Sequence, residues 1–109
     1  MNPNTEGLIP QMNISSHQTP LISVIIPLYN KAPYITRAIN SVLSQTIKNF
    51  EIIVVNDGST DGGDKIVAEY HDSRIHLVHQ QNQGVSAARN HGVKSANSKL
   101  IAFLDADDE

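Results

Sequence analysis

A chain of 109 residues is one small domain or part of a larger one, and a domain of this size buries about two-thirds of its unfolded surface. With 39% hydrophobic and 17% charged residues it has the composition of an ordinary soluble chain, and a formal net charge of -3 argues against nonspecific nucleic-acid binding, which needs clustered Lys and Arg. The absence of cysteine excludes disulfides, thiolate catalysis and Cys-type zinc sites, and fits a reducing compartment.

Residues 1–19 are rich in Asn, Pro, Ser, Thr and Gln without a period and read as a disordered lead-in. The triplet Asn13-Ile-Ser15 matches a glycosylation sequon. No secretory pattern accompanies it and no apolar run approaches the roughly 20 residues of a membrane span, so the sequon reads as chance and the cytoplasm, or the inner face of a membrane, is the expected location. Structure is expected from Pro20. Leu21-Ile-Ser-Val-Ile-Ile26 is a β-branched run suited to a strand buried on both faces, and Pro27 is expected to end it. Pro33 suits a first helical turn, and Ile35, Ala38, Ile39, Val42 and Leu43 fall on one face of the helix that follows.

Ile52 to Val55 forms a second buried strand, stopped by Asn56-Asp57-Gly58. Ser59, Thr60 or Asp61 can cap a second helix carrying Ile66, Val67 and Tyr70 on one side. Ile75 to Val78 is a weaker third strand, and Val85, Ala88, Gly92, Val93 and Ala96 give a third helical stripe. Leu100 to Leu104 reads as a buried fourth strand that stops at Asp105, with Asp107 two positions on.

Strand and helix alternate, which predicts an α/β fold: a Rossmann-like parallel sheet flanked by helices in the order βαβαβαβ, joined by right-handed crossovers. Three strands finish on polar clusters, at Tyr29-Asn30, Asn56-Asp57-Gly58 and Asp105-Ala-Asp107. A parallel sheet gathers these ends at one edge, where open α/β sheets bind ligands. Carboxylates grouped there repel one another unless something positive sits among them. A hard divalent cation such as Mg²⁺ or Mn²⁺ answers that need through one or two carboxylates plus substrate phosphates. A solvated acidic loop is the alternative for the triplet taken alone. Asp57 either accepts a ring N–H from a base or shapes a local turn beside Gly58, and Tyr29 either covers that base or simply packs.

No Gly-x-Gly-x-x-Gly turn follows the first strand, where Pro27-Leu-Tyr-Asn30 stands, and no Gly-x-x-x-x-Gly-Lys-Ser/Thr loop occurs anywhere. A bound diphosphate would therefore be neutralised by a metal and not by a glycine-rich helix start. The five histidines show no paired ligand spacing; His76 and His79, three apart on a strand, face opposite ways, His91 is helical and His71 lies near a helix end.

Four blocks carry a resemblance: Val24-Ile-Ile-Pro-Leu-Tyr-Asn30, Val55-Asn-Asp-Gly-Ser-Thr-Asp-Gly62, Asn82-Gln-Gly-Val-Ser-Ala-Ala-Arg-Asn90 and Phe103-Leu-Asp-Ala-Asp-Asp108. In this order and spacing they resemble the signature blocks of family 2 glycosyltransferases, inverting sugar-nucleotide enzymes of the GT-A fold. The resemblance covers residues 21–108, the nucleotide-sugar-binding half, and sets residues 20–109 as the N-terminal part of a transferase domain.

It implies that Pro27, Tyr29 and Asn30 line the nucleobase pocket, that Asp57 bonds the base, and that Gly84 and Arg89 close over the nucleotide. Asp105 contacts the ribose or shares the metal, and Asp107 holds Mg²⁺ or Mn²⁺. The implied donor is a nucleoside-diphosphate sugar, UDP-sugar first, and the acceptor a sugar, lipid-linked or other hydroxyl. The general base lies downstream of the triplet in this family, so no catalytic residue is expected within the chain, and the chain alone is expected to be inactive. The fourth strand is expected beside the first, leaving an open edge through which copies self-associate. A non-catalytic nucleotide-binding module is the alternative from another class. A haloacid-dehalogenase-type phosphatase also places Asp-x-Asp after a strand, but it usually has Thr or Val where Glu109 stands.

Overall fold

A computed structural model describes residues 19–107. The lead-in up to His17-Gln18, with its sequon, and the terminal Asp108 and Glu109 lie outside the described residues. The chain alternates β1 (Ile22–Leu28), α1 (Ala32–Leu43), β2 (Phe50–Asp57), α2 (Gly63–Ala68), β3 (Ile75–Gln80), α3 (Val85–Ser95) and β4 (Ile101–Phe103). The four strands form one sheet, every pairing parallel, in the order β3-β2-β1-β4. The expected α/β architecture is what is observed.

Burial follows strand position. β2 is buried along its whole length and β1 nearly so, because each has a strand on both sides and helices on both faces. One face of the sheet presents Val24, Ile26, Leu28, Ile52 and Val54 to Ile35, Ala38, Ile39 and Val42 of α1 and Val67 of α2. The other presents Ile25, Ile53 and Val55 to Ala88 of α3. Alternation along each strand thus sends odd and even positions into two separate cores.

Four local expectations change. Pro27 does not end β1, which runs on to Leu28 with Pro27 opposite Val55. Ser23 and Ile25 direct their backbone groups to β4, through Ser23 N to Leu100 O and Leu104 N to Ile25 O. Pro27, two residues further, would point its missing N–H the same way, where β4 has already ended, so no ladder bond is lost. The cap of α2 is Gly62, with φ 86°, and none of Ser59, Thr60 and Asp61 occupies the cap position. Asp61 still serves the helix from one residue earlier, its Oδ1 accepting the Gly63 N–H at 3.0 Å.

The fourth strand is shorter than expected and not buried. Leu100 is 63% and Phe103 51% exposed, since β4 has β1 on one side and no strand on the other among the described residues. In α3 the stripe divides: Ala88 and Gly92 are buried and Ala96 packs on their core, whereas Val85 and Val93 are exposed. Gly92 sets the approach, because a Cβ there would overlap Ile25 Cγ2 and press on Val55 Cγ2 at 3.3 Å. Small residues on one side let α3 lie close to the sheet, and the bulkier valines are left outside.

Candidate nucleotide site

The chain order places a change of direction between β1 and β4. From β1 the chain steps outward to β2 and β3, then crosses back over the other face through α3 to reach β4 on the far side of β1. Crevices for ligands open at such points, beyond the carboxyl ends of the strands. A cleft of roughly 500 Å³ lies there, lined by residues that follow β1 (Tyr29, Lys31), end β2 (Asp57), start α3 (Gly84, Arg89) and follow β4 (Asp105, Asp107), with Pro27 on its wall. Its volume falls in the range of small-molecule sites.

The sequence-predicted residues Pro27, Tyr29, Asp57, Gly84, Arg89, Asp105 and Asp107 all line this cleft. Asn30 does not. It stands at φ 52°, in the left-handed region that asparagine tolerates better than most residues, and ties the loop after β1 to the loop after β2. Its Oδ1 accepts the Thr60 N–H at 2.8 Å, while its own N–H donates to Ser59 Oγ at 3.1 Å.

Asp57 is buried and heavily bonded. Oδ1 accepts from Gln80 Nε2 at 2.8 Å and Gln83 N at 2.7 Å; Oδ2 accepts from Gly84 N at 3.0 Å and, more distantly, Asn82 Nδ2 at 3.4 Å. Burial is the largest single influence on this carboxyl and pushes its pKa up, but the donors from Gln80, Gln83 and Gly84 together outweigh it and hold the group below the usual carboxylate value. The carboxylate therefore organises the segment leading into α3. Gly58, at φ 78°, permits the close approach: a Cβ there would meet Asn82 N at 3.1 Å.

Each aspartate of the triplet meets a cationic side chain. Arg89 Nη2 donates to Asp105 Oδ1 at 3.2 Å, and Lys31 Nζ to Asp107 Oδ2 at 3.1 Å. All four side chains are partly exposed. The positive charge demanded by grouped carboxylates is thus supplied in the free chain by its own side chains. Lys31, Asn82 and Val85 are lining residues that sequence reading missed. Lys31 had a signal, a cation three residues past the end of a strand whose neighbours end in acid. Val85 had a misleading one, since its spacing matched the core stripe.

Residues 23–109 match the family described as Glycosyl transferase family 2. The chain belongs to that family. Membership bears out the resemblance read from the four sequence blocks and displaces the phosphatase alternative drawn from the Asp-x-Asp triplet. The chain is 47% identical over 91 residues to the uncharacterized glycosyltransferase EpsJ of Bacillus subtilis (strain 168), a match covering 82% of this chain and 26% of EpsJ. The fold resembles the crystal structure of S. aureus TarS 1-349 in complex with UDP, with a TM-score of 0.74 and 34% identity over 80% of this chain and 27% of that one. It also resembles the mannosyltransferase PcManGT from Pyrobaculum calidifontis in complex with GDP-Man and Mn²⁺, with a TM-score of 0.74 and 32% identity over 84% and 28% of the two chains. The chain spans about a quarter of the length of these proteins.

Proposed function

We propose that the parent protein transfers a sugar from a nucleoside-diphosphate donor, UDP-sugar first, to an acceptor hydroxyl on a sugar or a lipid-linked carrier, with metal assistance and inversion at the anomeric carbon. The observation that carries this reading is the meeting of Tyr29, Asp57, Asp105 and Asp107 around one cleft at the strand ends. The UDP complex of TarS and the GDP-Man and Mn²⁺ complex of PcManGT, both similar in fold, support it.

In this reading Tyr29, 47% exposed, offers the face of its ring to the base beside Pro27. Asp57 receives the base N–H on Oδ2, displacing the 3.4 Å contact from Asn82 and keeping its three shorter bonds. Asn30 acts one step back, fixing the turn that carries Tyr29. Gly84 and Arg89 close the nucleotide side of the cleft, and Asp105 faces the ribose.

Asp107, with Asp105 beside it, suits Mg²⁺ or Mn²⁺: both are hard oxygen donors at the edge of an open cleft. Among the described residues no cluster of three or more His, Cys, Asp or Glu is available to an ion, so its remaining ligands would come from the donor's phosphates and water. Such an ion would stabilise the charge that grows on the departing diphosphate. Inversion also needs a base to deprotonate the acceptor hydroxyl from the opposite face, a role given to the acceptor-binding half.

Titration of the chain with UDP, with and without Mn²⁺, tests the reading. Mn²⁺ should tighten UDP binding, Asp107→Ala should abolish that gain, and Asp57→Ala should weaken binding in both conditions. Unchanged binding by both variants would sink the assignment. The same reading includes self-association through β4, which has no strand on its outer side among the described residues and has exposed Phe103 at its end and exposed Leu100 just before it.

A further inference from the structure

We infer that Lys31 is an exchangeable counter-ion of this site: it holds Asp107 in the free protein and passes to the donor's diphosphate when a divalent cation takes that carboxylate. The inference rests on the transferase reading above and adds to it a residue and an order of events. Lys31 stands immediately before α1, on the lip of the cleft, with its Nζ 3.1 Å from Asp107 Oδ2. The two side chains are 41% and 43% exposed, so the pair is within reach of water and easily opened. An ammonium on a flexible four-carbon stem can turn to a new acceptor without a fixed geometry.

The second cation of the cleft is held differently. Arg89 bonds Asp105, its guanidinium lies 6.0 Å from the centre of the Phe103 ring, and its Nε is buried. That side chain carries its Nε inside the fold and a ring beside its ion pair, whereas Lys31, on a flexible stem, has beside its pair with Asp107 the Tyr34 ring at 5.9 Å.

Charge gives the order. Asp57, Asp105 and Asp107 against Lys31 and Arg89 leave the cleft with one formal negative charge, which repels a diphosphate. A divalent cation held by Asp107 would reverse that sign and repel the ammonium now paired with the same carboxylate. The repelled ammonium then turns from the carboxylate toward the incoming diphosphate, the more strongly charged acceptor in the cleft. Lys31 therefore opposes the metal when no nucleotide is present and assists the nucleotide once the metal is bound.

Lys31→Met separates these two effects. The variant should bind Mn²⁺ alone about two- to fivefold more tightly, the range set by releasing a half-exposed ion pair. It should bind UDP in saturating Mn²⁺ about tenfold more weakly, as loss of a charge-assisted phosphate contact implies. Uridine, which has no phosphate, should bind as to the parent chain, and Lys31→Arg should recover UDP affinity. Unchanged or weaker Mn²⁺ binding by Lys31→Met overturns the inference, as does equal weakening of UDP and uridine. If the parent chain binds Mn²⁺ and UDP and Lys31→Met matches it throughout, the inference fails alone. If the parent chain binds neither, the transferase reading fails and takes the inference with it.

Discussion

The carboxylate of Asp57, at the tip of β2, accepts the backbone N–H of Gly84 at 3.0 Å and so fixes where α3 begins. With Gln83 N at 2.7 Å on the other oxygen, one side chain holds two successive amides of the loop that closes the cleft. Asp57→Ala would strip acceptors from these amides and from Gln80 and Asn82. A loss of about 2–3 kcal/mol is expected, the scale for buried hydrogen bonds to a charged group. Urea unfolding would show it as a lower midpoint at unchanged slope. Binding comparisons with this variant belong below its unfolding transition. A variant as stable as the parent would mean that the loop holds itself.

Gly92 is expected to resist enlargement. Alanine is the better helix former by about 1 kcal/mol, but its methyl would be driven into Ile25, itself fully buried between sheet and helix. Overpacking of a tight core costs about 1–3 kcal/mol, so Gly92→Ala should lower stability by up to about 2 kcal/mol net. Thermal unfolding decides it. A more stable variant would show that α3 can lift from the sheet without loss.

How far the sequence reached depended on whether a pattern had one physical cause or two. The apolar runs at residues 21–26 and 52–55 were legible as strands because central parallel strands are buried on both faces, although the strands themselves run on to Leu28 and Asp57. The α1 stripe at Ile35, Ala38, Ile39 and Val42 was legible for the same reason, all four being buried. β4 misled because Leu100 and Phe103 look like core residues, and only the sheet order shows that they stand at an edge. The convergence of Tyr29, Asp57 and Asp107 followed from topology alone. The partners of those residues did not: Lys31 reaches Asp107 across 76 positions of sequence, and no local spacing announces such a pair.

The edge of β4 should show in solution. Leu100 and Phe103 expose apolar surface at a strand that has no neighbour on its outer side among the described residues, a template for a second copy. Sedimentation velocity should reveal concentration-dependent association, and Phe103→Lys, which sets a charge on that edge, should reduce it. A monodisperse parent chain over the whole concentration range would exclude this contact.

Acid should destabilise the fold through several carboxylates held below their usual values, Asp57 in the cleft among them and two more remote from it. Glu51 is buried at the start of β2, where its Oε2 accepts from Ser23 Oγ and Asn97 N, both at 2.6 Å, and its Oε1 from Asn97 Nδ2 at 3.0 Å. Burial pushes its pKa up most strongly, but the bonds from Ser23 and Asn97, with a smaller part from His76, bring it below the usual 4.5. Asp72 is held at about 2, against a usual 3.8, chiefly by the guanidinium and backbone N–H of Arg74. In both cases the folded pKa lies below the unfolded one, so the unfolded chain takes up protons first. The stabilisation is complete above the unfolded values, and Asp72 loses its share as pH falls from 3.8 toward about 2. The Asp72 share is at most about 2 kcal/mol, given its partial exposure. Urea midpoints measured from about pH 6 down to about pH 2.5 should therefore fall with acidification. Asp72→Asn should flatten the lower part of that curve and Glu51→Gln the upper part, each from a lower starting stability. Curves parallel to the parent's in both variants would assign the acid sensitivity to other groups.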